Sequence, residues 1–153
     1  MKVEYINPFL KASVEVLRMM AQMEFTMGKP YLKTSPFTAE NMIIVVGITG
    51  EIRGQAVISM SLEMAKTIAS AMMMGMPVDE MDEMAKSALS ELGNMIMGNS
   101  ATLLFNQGVN IDITPPTLMM GENMSISSAQ MTTLSVPLNS DNGTITFDIS
   151  VKE

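Results

Sequence analysis

The spacing of apolar residues along this 153-residue chain alternates between helical and strand-like patterns, and this order restricts the possible folds more than any other feature. Apolar residues at helical spacing predict helices, and short apolar or alternating stretches predict strands. The predicted helices span residues 8–23, 61–74 and 79–105, and the predicted strands span 31–36, 41–47, 53–60, 111–114, 131–138 and 143–151. The order predicts an α+β fold of two pseudo-duplicated helix-plus-three-strand halves, with long helices packed on one face of a mainly antiparallel sheet.

Residues that start helices and close turns set the predicted boundaries. Asn7 followed by Pro8 is typical of an N-cap with proline at the first helical position. Ser61 and Asp79 are predicted to cap the second and third helices. The sequence Asp141-Asn142-Gly143 predicts a tight hairpin between the last two strands.

The composition excludes several kinds of active site. The chain has no cysteine and no histidine, which removes disulfide scaffolds, thiol nucleophiles, zinc-finger ligand sets and His-based triads. Nine Lys and Arg against sixteen Asp and Glu give a net charge of −7, which argues against nucleic acid or an anionic membrane as a partner. No signal peptide, membrane-spanning run or linker is recognisable, so a single cytoplasmic domain over residues 1–153 is expected. The twenty methionines favour an adaptable core over a promiscuous docking surface.

The third predicted helix carries small or polar residues along one narrow stripe. With Ser87 at zero, Glu91 lies at about +40°, Asn94 at about −20° and Gly98 at about +20°. Asn99, at about +120°, is expected to point toward the apolar side, where it bonds internally or lies at an interface. The residues predicted to face the core are Met81, Met84, Ala85, Ala88, Leu92, Met95, Ile96 and Leu103. Spacing alone leaves the stripe open to two interpretations, a partner-binding surface or an ordinary solvated face.

Two glycines interrupt the same predicted helix. Gly93 and Gly98 each lower helix stability by about 1 kcal/mol relative to alanine. Either another body approaches the helix closely there, or both glycines are ordinary defects in helix propensity. Gly98 lies on the polar stripe one turn beyond Asn94, where a partner could press close.

The run Ser87-Ala88-Leu89-Ser90-Glu91-Leu92-Gly93-Asn94 resembles the (Asp/Ser)-x-x-x-Glu-x-x-Asn signature of the CheC/CheX/FliY phosphatase family of bacterial chemotaxis. The family pattern continues with a downstream proline, and Pro115 and Pro116 lie in that region, Pro116 one residue short of the usual spacing. The single-domain length, the Asn7-Pro8-Phe9 opening and the glycine-rich turn before Gln55-Ala56-Val57-Ile58 are also similar to CheX-type members.

CheC-type members carry a second signature on the first helix, whereas CheX-type members carry one. At the corresponding positions this chain has Lys11, Glu15 and Arg18, so only the glutamate fits the pattern. The resemblance therefore implies a CheX-type protein with one site per chain, and the charges of the first helix are interpreted as a solvated face.

The resemblance implies an enzyme of two-component signalling that hydrolyses the aspartyl phosphate of a CheY-like response regulator. It implies that Asn94 orients the attacking water, that Glu91 docks on the regulator's active-site lysine, and that Ser87 and Gly98 contact the partner. Mg²⁺ would be supplied in the regulator's active site, and no cofactor or metal of this chain's own is expected. The resemblance also implies a homodimer formed by joining sheets, with residues 131–137 as a candidate edge.

Other functions stay open at this point. A non-catalytic adaptor or flagellar-switch module would use the same fold to bind a receiver domain, but the intact pair of Glu91 and Asn94 argues against it. A small-molecule-binding domain is disfavoured because the glycine-rich residues 47–50 lack the lysine and helix of a phosphate-binding loop. The acidic run at residues 79–83 is explained by a helix N-terminus, which disfavours a metal or acid–base role for it.

Overall fold

The computed structural model describes residues 2–34, 37–127 and 132–153. The helices within these ranges are α1 (Val3–Ala21), α2 (Leu62–Met72) and α3 (Glu83–Asn106). The strands are β1 (Thr26–Met27), β2 (Tyr31–Lys33), β3 (Phe37–Thr38), β4 (Met42–Gly50), β5 (Arg53–Met60), β6 (Ile111–Ile113), β7 (Thr117–Met120), β8 (Ser125–Ile126), β9 (Thr133–Ser140) and β10 (Gly143–Lys152). None of the helices in the described ranges is long and apolar enough to cross a membrane.

The main sheet is antiparallel and has the strand order β1-β9-β10-β5-β4-β6. Strand β2 also pairs with β9, and β7 also pairs with β4. Strands β5 and β10 lie side by side at the centre, with Ile58 opposite Phe147. The short strands of each half therefore flank the hairpin of the other half, which gives the sheet an approximate two-fold arrangement and agrees with the predicted pair of similar halves.

The helices pack on one face of this sheet. Ile145, Phe147 and Ile149 alternate along β10 toward that face and join a core that includes Phe9 of α1 and Leu89 of α3. The rings of Phe9 and Phe147 have their centroids 6.4 Å apart. The predicted α+β class, with helices layered on an antiparallel sheet, is confirmed.

The opposite face of the sheet is covered in part by a second, two-stranded sheet of β3 and β8. Ile126 of β8 packs there against Ile43 of β4 and Val57 of β5. The short strands β1, β7 and β8 were not predicted, because two to four residues carry too little periodicity to identify a strand.

Helix α1 begins at Val3, so the predicted N-cap at Asn7 is wrong. Pro8 lies inside the helix and is buried, although a proline there cannot donate to the carbonyl of Glu4. The first turn instead contains a bond from the Tyr5 amide to the Lys2 carbonyl, at 3.0 Å. Burial of neighbouring apolar residues in the core compensates for the lost helical hydrogen bond.

The other predicted boundaries are closer to the structure. The Ser61 hydroxyl caps α2 by accepting from the Met64 amide at 3.1 Å, as predicted. The cap of α3 is Asp82, whose Oδ1 accepts from the Ala85 amide at 2.9 Å, so the predicted cap at Asp79 lies three residues too early. The predicted hairpin between β9 and β10 is confirmed, with Ser140 opposite Gly143.

Residues 131–137 were predicted to form an edge of the sheet, and this prediction is wrong for the residues of that range that the structure describes. Strand β9 begins at Thr133 and lies between β10 on one side and β1 and β2 on the other. Met131, and Ser35 and Pro36 of the predicted strand 31–36, lie outside the described residues. The main sheet therefore ends at β1 and β2 on this side.

Candidate functional site

Helix α3 presents the predicted polar stripe on the side that faces away from the sheet. Ser87, Glu91 and Asn94 are exposed, and Gly98 is partly exposed. The buried residues of the helix are Ala85, Leu89, Leu92, Gly93, Ile96, Met97, Ser100 and Leu104. They centre at about 210° from Ser87, nearly opposite the stripe, so the prediction that the stripe points outward is confirmed.

The predicted core-facing arc is displaced from the buried one. Met84 was placed in the core but is 60% exposed, and Asn99 is also exposed rather than turned inward. The buried side includes Ser100, whose hydroxyl donates to the Ile96 carbonyl at 2.7 Å, and Gly93. Because small and polar residues occupy part of the buried side, apolar spacing alone misplaced the centre of the arc.

The two glycines of α3 have different surroundings. A Cβ atom on Gly93 would lie 2.9 Å from Ile44 Cγ2 and 3.5 Å from Pro116 Cβ, so the close approach there is to the chain's own sheet and loop. Among the described residues, no atom beyond the neighbouring helix backbone lies within 4 Å of the position a Cβ would take on Gly98. Gly98 therefore leaves a shallow open area beside Asn94.

Glu91 and Asn94 have free side chains. Within the described ranges neither side chain forms a hydrogen bond or an ion pair with another residue. Asn94 follows Glu91 by three positions, which is about 4.5 Å along the helix axis. Both are held on a helix whose opposite side is packed in the core, which fixes the direction in which they project.

The chemistry available at this stripe is hydrogen bonding and charge, without a nucleophile–base pair. The Asn94 amide offers a neutral acceptor and donor, and Glu91 is the one charged residue of α3 beyond Lys86. No cluster of three or more potential metal-ligating residues occurs in the part of the chain that the structure describes. On α1, Lys11 and Arg18 are exposed and Glu15 is partly buried. Of the positions that correspond to the signature, Arg18 stands at that of the asparagine and Lys11 at that of the aspartate or serine.

The outward face of α3 also carries an exposed aromatic residue to which the sequence analysis assigns no role. Phe105, the last residue of the predicted third helix, is 64% exposed. It lies eighteen residues, or five turns, beyond Ser87 and therefore projects in the same direction. The direction in which Phe105 projects can be calculated from the sequence, but only the folded structure shows that its side chain is exposed.

Comparison with known proteins identifies relatives of this chain. The family model for chemotaxis phosphatase CheX matches residues 42–139, which include all of α3. The CheY-P phosphatase CheX of Thermotoga maritima is 38% identical over 128 residues, covering 84% of this chain and 83% of that protein.

Solved structures give the same result over nearly the whole chain. A CheC-like superfamily protein from Shewanella sp. PV-4 superposes with a TM-score of 0.91 at 29% identity, with all of both chains covered. CheX in the CheX–CheY–BeF3–Mg²⁺ complex from Borrelia burgdorferi superposes with a TM-score of 0.84 at 36% identity, covering 99% of this chain and 100% of that one. The matched family model, the sequence identity and the shared fold together establish that this chain belongs to the CheX family of chemotaxis phosphatases.

Proposed function

We propose that this protein accelerates hydrolysis of the aspartyl phosphate on a CheY-like response regulator. Its relative from Thermotoga maritima is a CheY-P phosphatase. The observation that carries the proposal is the exposure of Glu91 and Asn94 on the outward face of α3, where neither side chain has a partner among the described residues.

Asn94 is the residue that we assign to the attacking water. Its amide oxygen accepts a hydrogen bond from the water and holds it in line with the phosphorus–oxygen bond that breaks. An amide is neutral, so it approaches the phosphoryl oxygens without the repulsion that a carboxylate would cause. Positioning alone accounts for large rate effects in such reactions, so the absence of histidine and cysteine is no obstacle.

Glu91 is assigned to docking. Its carboxylate pairs with a lysine in the regulator's active site, and this charge-assisted contact sets the register in which Asn94 enters. Ser87, one turn earlier on the stripe, contributes a surface contact. Gly98 allows the partner to approach the helix backbone, since nothing lies within 4 Å of its missing side chain.

The metal ion belongs to the regulator in this proposal. The complex from Borrelia burgdorferi contains CheX, CheY, BeF3 and Mg²⁺. Mg²⁺ neutralises charge on the phosphoryl group and the leaving carboxylate. The residues of this chain then bind and orient, and none of them is needed as a metal ligand.

The test is a panel of receiver domains from the same genome, each phosphorylated with acetyl phosphate and Mg²⁺. Phosphate release is measured with the wild-type protein, with Asn94→Ala and with Asn99→Ala. Asn99 is the matched control, because it is an exposed amide on the same helix but lies off the stripe. We expect acceleration by wild type and Asn99→Ala only. Full acceleration by Asn94→Ala would exclude the proposed site.

The alternative is a non-catalytic adaptor that binds a receiver domain through the same face. It predicts binding of a phosphorylated receiver without any change in the rate of phosphate loss. The same panel separates the two functions, since binding and release are measured on one pair of proteins.

We also propose a homodimer joined at the sheet edge formed by β1 and β2. Both strands pair with β9 alone in the described structure, which leaves their outer side available to another strand. Leu32 of β2 is 69% exposed beside a groove of about 320 Å³ that is lined by Val3, Ile6, Asn7, Leu10, Pro30, Leu32 and Leu134. Sedimentation is expected to give a dimer for wild type and a monomer for Leu32→Glu. An unchanged dimer in the variant would place the interface elsewhere.

A further inference from the structure

Phe105 extends the outward stripe of α3 beyond the residues assigned above. It lies eleven residues after Asn94, which is about 16 Å along the helix axis. A stable interface of about 800 Å² per partner corresponds to a disc of about 16 Å radius. A partner centred on Asn94 therefore reaches the Phe105 ring at the margin of its footprint.

The outward surface of α3 between Asn94 and Phe105 carries only small side chains. Gly98, Ala101 and Thr102 are the residues on the outward side of this segment. The Thr102 hydroxyl donates to the Gly98 carbonyl at 3.2 Å and so lies against the helix. Asn94 and Phe105 thus project at the two ends of a shallow saddle into which a convex partner surface fits.

The sequence on either side of Phe105 is acidic. The sequence contains no lysine or arginine from residue 87 to residue 151. The last turn of α3 has no basic residue, so no cationic side chain of that turn offsets the partial negative charge of the helix C-terminus. The exposed carboxylates of Glu51 and Asp112 line one shallow depression with Asn110, which lies four residues after the end of α3 and whose backbone N–H donates to Glu51.

Within the described residues no basic side chain, including that of Arg53 in the strand that follows the Glu51 turn, forms an ion pair with Glu51 or Asp112. An exposed aromatic face in a negative environment attracts a cationic side chain with an aliphatic stem. A second copy of this acidic chain is a poorer occupant, because like charges would be brought together.

We propose that Phe105 is a second docking anchor, which receives a lysine or arginine side chain of the phosphorylated receiver. This inference rests on the proposed function, because it takes the same partner on the same face of α3. Glu91 and Phe105 then contact two separate cations of the partner, and the two contacts together fix how the receiver lies along the helix. Phe105 touches neither the phosphoryl group nor the water, so it is a positioning residue.

The experiment compares Phe105→Ala and Phe105→Leu with wild type on a CheY-type receiver that the panel identifies as a substrate. KM and kcat are measured on the acetyl-phosphate-phosphorylated receiver, and Kd is measured on its beryllofluoride–Mg²⁺ form. Met19→Ala is the matched control, since Met19 is a large apolar residue that is 68% exposed on α1 rather than on α3. Because Phe105 is exposed, neither substitution is expected to impair folding, and circular dichroism checks this.

We expect Phe105→Ala to raise KM and Kd about tenfold while kcat changes by less than about twofold, as for loss of a cation–aromatic contact. Phe105→Leu keeps apolar bulk without the aromatic face and is expected to raise KM at least about fivefold. Met19→Ala is expected to behave as wild type.

The other outcomes overturn specific parts of the proposal. An unchanged KM in Phe105→Ala, with Asn94→Ala inactive, removes the anchor and leaves the proposed function intact. A wild-type KM in Phe105→Leu means that the contact is apolar rather than cationic. A smaller sedimenting species for Phe105→Ala means that a second copy covers the ring. Full activity of Asn94→Ala contradicts the proposed function instead.

Discussion

A Cβ atom on Gly93 of α3 would lie 2.9 Å from Cγ2 of Ile44 on β4. Both residues are buried, so helix and sheet meet here at a distance that only a glycine allows. Glu91, two residues earlier, projects about 160° away from Gly93 around the helix. The glycine against the sheet therefore determines which residues of α3 face a partner.

The two glycines of α3 give a matched pair of predictions for stability. Gly93→Ala forces a methyl group against the stiff β-branched side chain of Ile44, and overpacking of about 1–3 kcal/mol exceeds the gain of about 1 kcal/mol in helix propensity. Gly98→Ala meets no atom within 4 Å, so only the propensity gain remains. Urea unfolding is expected to show Gly93→Ala less stable than wild type and Gly98→Ala more stable by up to about 1 kcal/mol. Equal effects of the two substitutions would contradict this account.

Much of the fold could be predicted because strong periodicity and local caps agree with the tertiary structure. The strand Arg53–Met60 and the Ser61 cap are local patterns that the fold keeps. The start of α1 could not be predicted, because Pro8 normally marks a helix beginning and only core packing keeps it inside the helix. The position of β9 inside the sheet depends on pairing with distant β1 and β2, which no local pattern encodes.

The sequence predicted the side of α3 on which the candidate site lies, but not every residue that is exposed on the helix. Angular spacing placed Glu91 and Asn94 on one side, and they are exposed. The same calculation predicts that Asn99 points inward, because it assigns Met84 to the core although Met84 is 60% exposed. A methionine-rich helix has weak contrast between its two sides, so apolar spacing locates its buried side poorly.

A buried ion pair on the outer side of the sheet gives a second stability prediction. Lys33 Nζ lies 3.1 Å from Asp148 Oδ2, and the Asp148 side chain is only 1% exposed. Lys33→Met leaves a buried carboxylate without its counter-charge, which is expected to lower the free energy of unfolding by about 3 kcal/mol. The double variant Lys33→Met/Asp148→Asn removes the charge and is expected to recover at least half of that loss. Urea unfolding measures both, and a double variant as unstable as the single one would rule out the electrostatic cause.

The contact between Glu153 and the start of α1 predicts a pH dependence. Hydrogen bonds from Lys2 at 3.2 Å and from the Tyr5 hydroxyl at 3.0 Å lower the pKa of the Glu153 carboxyl from its ordinary value of 4.5, and the Lys2 bond is the larger cause. Because the folded pKa is lowered, the stabilisation is present above 4.5 and is lost as the pH falls through the lowered value.

Carbon-13 NMR of the Glu153 carboxyl measures this pKa directly. Lys2→Met is expected to raise the pKa of Glu153 toward its ordinary value more than Tyr5→Phe does. The same contact raises the pKa of Lys2, so its share is lost as the pH rises through that raised value. A Glu153 carboxyl that titrates at its ordinary pKa in the wild-type protein would show that the contact is absent in solution.

Substitutions at Asn94 and Glu91 are expected to differ in their effects on the rate of phosphate release and on the affinity for the receiver. Asn94→Ala removes the group that holds the water, so accelerated phosphate release is expected to fall by about 100-fold or more, toward the receiver's own rate. Its Kd for the beryllofluoride–Mg²⁺ receiver is expected to stay within about threefold of wild type, because the amide contributes little to docking. Glu91→Gln keeps the shape of the side chain but loses the charge, and it is expected to raise Kd about tenfold as well as slow release. Single-turnover phosphate release and equilibrium titration measure the two quantities on the same proteins. If Asn94→Ala lost affinity rather than rate, or Glu91→Gln lost rate at unchanged Kd, the two roles would have to be exchanged.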